Sequence, residues 1–242
     1  MAGRIGQGAA ICLLFSSCCI GQAAEAGQPT MIEIRYEERA PNQPPALSRI
    51  LVWGQLLRLD YGQDDADFVL YDHPARRIWH VSREARQMTG IAVAPARYHW
   101  PADWRLSQEQ YQSGPDVITR VQLNGQLCAE FKSAPMLAEP ADLMRRFRKG
   151  VAGKQADAWG RTANTSRQPC ALALEVREAG IEYRHGMPLA VRYWDGRVRL
   201  YQRHDTLPVR RELFELPEDY SRVVAPPQGK GKARQPTASQ RR

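Results

Sequence analysis

Between residues 49 and 93 short apolar runs and short polar breaks succeed one another without interruption. The runs at 49–53, 56–61, 67–72, 77–82 and 88–93 are rich in β-branched and aromatic side chains, and turn-forming or charged residues separate them. That alternation predicts an antiparallel meander. A period-two strand at 31–38 precedes it, across a proline-rich link at 41–45. Residues 94–116 read as irregular and aromatic, with Tyr98, Trp100, Trp104 and Tyr111 set among Pro95, Pro101 and Pro115. Val117, Thr119, Val121 and Leu123 then alternate with polar neighbours, and Asn124-Gly125 predicts a hairpin into a strand at 127–132.

The period changes once. Pro140 suits a first helical turn, and Leu143, Met144, Phe147 and Val151 fall at helical spacing, with Gly150 and Gly153 weakening the end of the helix. Residues 170–179 read two ways. Leu172, Leu174 and Val176 alternate like a strand, whereas the Ala and Glu content and Gly180 favour a short helix. Sheet then returns, with Asp195-Gly196 predicting a tight hairpin between 189–194 and 197–201, and a closing strand at 213–216. The expected fold is mainly β: a curved antiparallel sheet or incomplete barrel of about eleven strands, with a late helical insertion packed on it.

Length and charge refine this into three segments of the 242 residues. Residues 1–26 read as a signal peptide, with Arg4 as the basic region, Ala9 to Ile20 as the apolar stretch and small residues at the cleavage site. The apolar stretch falls short of the roughly 20 residues that span a bilayer. Residues 27–224 form one β-rich domain, and 225–242 a basic tail without apolar periodicity, expected to be disordered. Of the formal net charge of +8, five come from that tail, Arg4 and Glu25 cancel, and the domain keeps the other three. A charge so distributed gives no basis for a nucleic-acid partner, though the tail suits an anionic membrane surface.

The five cysteines divide by segment. Cys12, Cys18 and Cys19 fall in the leader, where the sequence before Cys18 also resembles an imperfect lipobox, a route to lipoprotein anchoring. Cys128 and Cys170 remain in the domain, and two cysteines in an oxidising compartment predict one disulfide. In a regular strand Cys128 would share the polar face with Glu130 and Lys132, opposite Leu127, Ala129 and Phe131. A redox-active pair is the alternative, without a C-x-x-C motif in its favour.

The meander 57–60, 68–72 and 77–81, together with the ending Leu213-Phe214-Glu215-Leu216-Pro217-Glu218-Asp219-Tyr220, resembles a family of exported bacterial domains. These share the half-barrel fold of the lipoprotein carriers LolA and LolB, and the pattern spans residues 31–222. The resemblance implies an incomplete barrel whose helices plug an apolar concavity that holds acyl chains. No transfer residue of that family maps onto a position here.

Candidate chemistry is sparse. A two-residue turn at Asp195-Gly196 would pair Trp194 with Arg197, Arg192 with Arg199 and Val191 with Leu200. Arg192, Arg197, Arg199, Trp194 and Tyr201 would then share one face and form an anion site, or be neutralised by a carboxylate and by stacking on Trp194. Leu57, Leu59, Phe68, Leu70, Val121 and Leu123 are the candidates for an apolar concave face. The five histidines show no ligand spacing, the acidic residues around Gly62 miss the EF-hand pattern, and no nucleophile elbow or P-loop occurs. The expectation is therefore a non-enzymatic periplasmic protein without cofactor or metal. Its expected ligand is hydrophobic or an anionic amphiphile, such as a lipid or a lipoprotein acyl chain. The alternative is a structural or protein-interaction component of the envelope whose sheet is filled by its own side chains.

Overall fold

The computed structural model describes residues 28–161 and 168–224. The predicted leader, the anchoring reading of Cys18 and the basic tail lie outside the described residues. Six strands open the fold: β1 (Thr30–Arg39), β2 (Ala46–Trp53), β3 (Leu56–Asp60), β4 (Phe68–Asp72), β5 (Arg77–Ser82) and β6 (Gln87–Ala92). β2 to β6 form the predicted meander and β1 the strand expected before it, each strand antiparallel to the next. β7 (Leu106–Ser113), β8 (Asp116–Leu123) and β9 (Gln126–Ala134) follow as a second meander, and β10 (Met187–Tyr193) and β11 (Val198–Pro208) as a hairpin. β11 pairs with β1, joining the two halves, and β12 (Ser221–Val224) adds to β6 in parallel. The result is a single open sheet of 12 strands in the order β12-β6-β5-β4-β3-β2-β1-β11-β10-β9-β8-β7.

One face of this sheet carries the helices. The 24-residue α1 (Ala138–Arg161) starts with Glu139 in its first turn, where a carboxylate suits the helix dipole. Its Leu143, Met144 and Phe147 pack on Ile34, Tyr36, Ile50, Val52, Leu57, Tyr71 and Ile78. α2 (Pro169–Leu172) runs into a π-helical turn at Ala173–Arg177, so helix rather than strand prevails over 170–177. That segment covers Val121, Leu123, Ala129, Phe131 and Val191 on the same side of the sheet. A 3₁₀ turn at Ile181–Tyr183 leads into β10.

The opposite face is covered by the chain between β11 and β12. Leu213 and Phe214 pack there on Met31, Leu51, Phe68, Leu70, Val81 and Met88, with Leu216 and Tyr220 beside them. Beneath this strap lies a buried charged lattice. Arg49 makes a two-pronged contact with Asp60, through Nε and Nη2, each at 2.8 Å. The fully buried Arg58 donates to Asp60 at 2.7 Å and to the carbonyls of Leu213 and Asp64 at 3.0 and 2.9 Å, and stacks 4.1 Å over the Phe68 ring. A buried guanidinium is tolerable only when its donors are met, and here backbone carbonyls of two loops complete the set. Asp64 in turn pairs with Arg49 and Arg210 at 2.7 Å each, tying the strap to the sheet. Burial draws the Asp64 carboxyl upward, but its bonds from Arg49 and Arg210 outweigh this and hold it below the ordinary aspartate value.

Four expectations are corrected. Residues 106–113 form β7 rather than loop; seven of its eight positions are polar or aromatic and most are exposed, so no apolar alternation marks it. Residues 213–216 are no strand: Leu213 and Phe214 are both buried neighbours in a 3₁₀ turn at Arg211–Phe214, and the closing strand is β12. These changes bring the count to 12. Cys128 is buried while Leu127 is 46 % exposed, the reverse of regular alternation. A bulge causes this: Val121 pairs with Ala129 but Gln122 with Leu127, leaving Cys128 as the extra residue. Turned inward, it meets Cys170 in a disulfide with Cα atoms 5.0 Å apart, 42 residues along the chain. By the loop-entropy estimate that crosslink stabilises the fold by roughly 4 kcal/mol.

The fourth correction is the register of the β10–β11 hairpin. The Asn124-Gly125 turn has the expected two residues, both at positive φ (51° and 79°) as a type I′ turn requires. At Asp195-Gly196 the loop has three residues instead: Tyr193 N–H donates to Arg197 O and Gly196 N–H to Tyr193 O, with Gly196 at φ 82°. Val191 therefore faces Arg199, and Arg192 faces Val198. A slip of one residue moves a side chain to the other face. Arg199 goes inward, and Arg192 is left exposed on the far side.

Candidate functional site

The inward turn of Arg199 gathers a group of charged and phenolic side chains on the helix-covered face. A pocket of about 280 Å³ opens between the end of β1, the link at 40–46, α1, the 3₁₀ turn and the β10–β11 hairpin. Arg39, Arg148, Arg197 and Arg199 line it together with Glu38, Glu182 and Tyr193. Arg199 donates to Glu38 at 2.6 Å and to the Tyr183 hydroxyl at 3.0 Å, with its guanidinium 4.7 Å from the Tyr36 ring centre. Arg197 pairs with Asp195 at 2.7 Å and stacks on Tyr193 and Trp194. Arg39 pairs with Glu37.

Arg148, projecting from α1 next to the core residue Phe147, differs from the others. Its Nε lies 3.2 Å from Glu182 Oε1 as an ion pair, yet makes no hydrogen bond and is buried. The Tyr36 hydroxyl behind Arg199 is likewise buried without a partner. Unmet donors of this kind are what an entering acceptor would satisfy. Arg148 and Arg199 keep 27 % and 19 % of their side chains exposed, so both are reachable.

The electrostatics follow from depth. Burial pushes the Tyr183 phenol up to about 12, and burial raises Tyr36 and Tyr193 as well. Burial pulls the Arg199 guanidinium down, but Tyr183 and Glu38 more than offset it, and the net shift is upward. Arg148 behaves alike, with Glu182 as the counterweight. The pocket therefore keeps neutral phenols and charged guanidinia throughout the physiological range, each guanidinium facing a carboxylate.

The predicted anion group is thus divided. Arg197 and Arg199 reach the pocket, Tyr201 flanks it edge-on to Tyr36 at 5.9 Å, and Trp194 packs over the disulfide cluster. Arg192 points away from them. Arg39, Arg148, Glu38 and Glu182, not among the sequence's site candidates, come from three separate elements, β1, α1 and the 3₁₀ turn at Ile181–Tyr183, and no local pattern links them. The predicted apolar residues divide too. Leu57 and Leu59 lie under α1 and Val121 and Leu123 under the α2 segment, whereas Phe68 and Leu70 belong to the strap side. Two further clefts, of about 590 and 510 Å³, flank α1 at Gln55, His73 and Arg146 and at Val117, Tyr183 and His185. Among the described residues no group of three or more His, Cys, Asp and Glu side chains converges as metal ligands. No helix among them is long and apolar enough to cross a membrane.

The fold so defined is an open, mainly antiparallel sheet with one helix-covered face. No protein-family model matches the chain, and no curated protein matches it. Among solved structures, PNGF-II in its C2 crystal form is similar with a TM-score of 0.39 and 9 % identity, over 81 % of this chain and 31 % of that one. The P21 form gives 0.39 and 9 %, over 81 % and 32 %. The chain thus spans about a third of PNGF-II. A LolA superfamily protein from Nitrosomonas europaea is similar with a TM-score of 0.29 and 10 % identity, over 78 % of this chain and 90 % of that one.

Proposed function

We propose that this protein is an exported, non-enzymatic binder of an anionic amphiphile. The head group would sit among Arg148, Arg197 and Arg199, and the apolar part between α1 and the sheet. The observation that carries the reading is the position of Arg148. Arg148 lines the arginine pocket with one donor unmet, while the adjacent Phe147 packs on the apolar face formed by Ile34, Ile50, Val52 and Leu57. A ligand entering there meets charge and apolar surface at neighbouring points, and each Å² of apolar surface it covers contributes about 25 cal/mol. The Cys128–Cys170 bond fits an oxidising compartment.

The test is binding to vesicles of phosphatidylglycerol, with phosphatidylcholine as the neutral control. The anionic vesicles should bind more tightly, and Arg148→Gln should weaken them about tenfold, the loss of one charge-assisted contact. Equal binding to both lipids would sink the reading.

A second reading rests on the packing of Leu143, Met144 and Phe147, which fill the face beneath α1. On that reading the sheet is complete without a ligand, and the protein is an interaction component of the envelope. Native mass spectrometry of protein purified from its own host separates the two, since only the first predicts a co-purifying lipid.

A further inference from the structure

The two ends of the sheet are guarded differently. At one end β12 is only 4 residues long, follows Pro217 and runs parallel to β6. At the other end lies β7, 8 residues long, with exposed positions throughout its middle. Among the described residues nothing pairs with its outer side. β7 has no Lys, no Pro and no register shift against β8, the devices that ordinarily keep an edge from pairing.

The sequence of this edge is nearly a palindrome. Reading outward from Gln110, Gln108 mirrors Gln112 and Ser107 mirrors Ser113, with Glu109 and Tyr111 as the one unlike couple. An antiparallel partner of the same sequence, related by a two-fold axis at Gln110, would therefore place each residue opposite its mirror. On the face shared with Val117, Thr119 and Val121, Gln110 would meet its own duplicate amide to amide, flanked by Gln108, whose Oε1 accepts from Arg184 at 2.9 Å, and Gln112, whose Nε2 donates to Gly114 O at 3.0 Å. On the other face Glu109 of one copy would meet Tyr111 of the other instead of its own duplicate, so the single charge of the strand escapes repulsion and gains a phenolic donor. Arg120, paired across from Glu109 and 5.3 Å from the Tyr111 ring, lies beside both.

We propose that β7 is a self-association edge, through which two copies of this chain join their sheets antiparallel about Gln110. An isologous contact of this kind closes as a dimer and leaves no further free edge of comparable length.

The full chain tests it by sedimentation equilibrium, where a concentration-dependent dimer is expected. Gln110→Cys should crosslink to itself under mild oxidation, since residues directly opposed in a sheet lie within disulfide range. Ser107→Cys alone should not, whereas Ser107→Cys with Ser113→Cys should. Gln110→Lys, which places two charges face to face, should give a monomer whose melting temperature does not depend on concentration and matches that of the parent chain diluted until it dissociates. The parent chain treated alike is the control for its native cysteines. A chain that stays monomeric at all concentrations, a Gln110→Lys variant that still dimerises, or crosslinking through Ser107→Cys alone in place of Gln110→Cys would overturn the proposal.

Discussion

Arg199 and Arg58 occupy opposite faces of the sheet, and each is admitted to the interior by the partners waiting there. Arg58 finds Asp60 and two backbone carbonyls and is structural. Arg199 finds Glu38 and the Tyr183 hydroxyl, beside an Arg148 whose Nε lacks a hydrogen bond. The phenols around Arg199 make a pH prediction. Burial raises Tyr36, Tyr183 and Tyr193, so the folded state favours their neutral form. The stability they lend is fully present below the ordinary tyrosine value of about 10. It is lost as pH rises towards the folded value, about 12 for Tyr183. In a spectrophotometric titration at the tyrosinate band, these three of the nine tyrosines should ionise last and together with unfolding, and Tyr71 and Tyr201, raised by partial burial, should also titrate late. Nine tyrosines ionising in one step near pH 10, with the fold intact, would contradict the assignment.

At the scale of elements, α1 owes its placement to two glycines that its helical propensity would reject. A Cβ on Gly153 would stand 2.6 Å from the carbonyl oxygen of Ala94, and one on Gly150 3.0 Å from a Val93 methyl. The helix therefore presses on the chain leaving β6 at a distance only glycine allows. Gly153→Ala, which favours an isolated helix by about 1 kcal/mol, should here lower stability in a urea melt because a backbone oxygen cannot yield as a side chain can. Gly150→Ala should be milder, since Val93 can shift. The sequence shows these glycines as weak points of the helix; their use as a contact surface depends on which chain lies opposite, and nothing local encodes that. The same holds for β7. Its residues from Ser107 to Ser113 carry no buried face, and only the neighbouring β8 makes them a strand.

For the whole molecule the decisive feature is that both faces of one sheet are covered, by helices on one side and by the strap on the other. Ending the chain at Pro208 would uncover Phe68, Leu70, Val81 and Met88 and remove the Leu213 carbonyl from Arg58. Such a chain should bind a hydrophobic dye and lose cooperative unfolding, and an unaltered melt would show the strap to be dispensable. Local pattern determined the meander, the Asn124-Gly125 hairpin, the helix after Pro140 and the pairing of the two domain cysteines, because each follows from spacing within a few residues or from a count. The run Phe68-Val69-Leu70-Tyr71 has apolar side chains at consecutive positions, which suits a strand covered on both sides. Tertiary structure decided what turned on one residue of register or on distant partners. An extra loop residue carried Arg199 inward and Arg192 outward, a bulge turned Cys128 to its partner, and α1 brought Arg148 to the pocket. A strand alternates every residue, so a single inserted position reverses every assignment beyond it, and only the assembled sheet shows where that insertion falls.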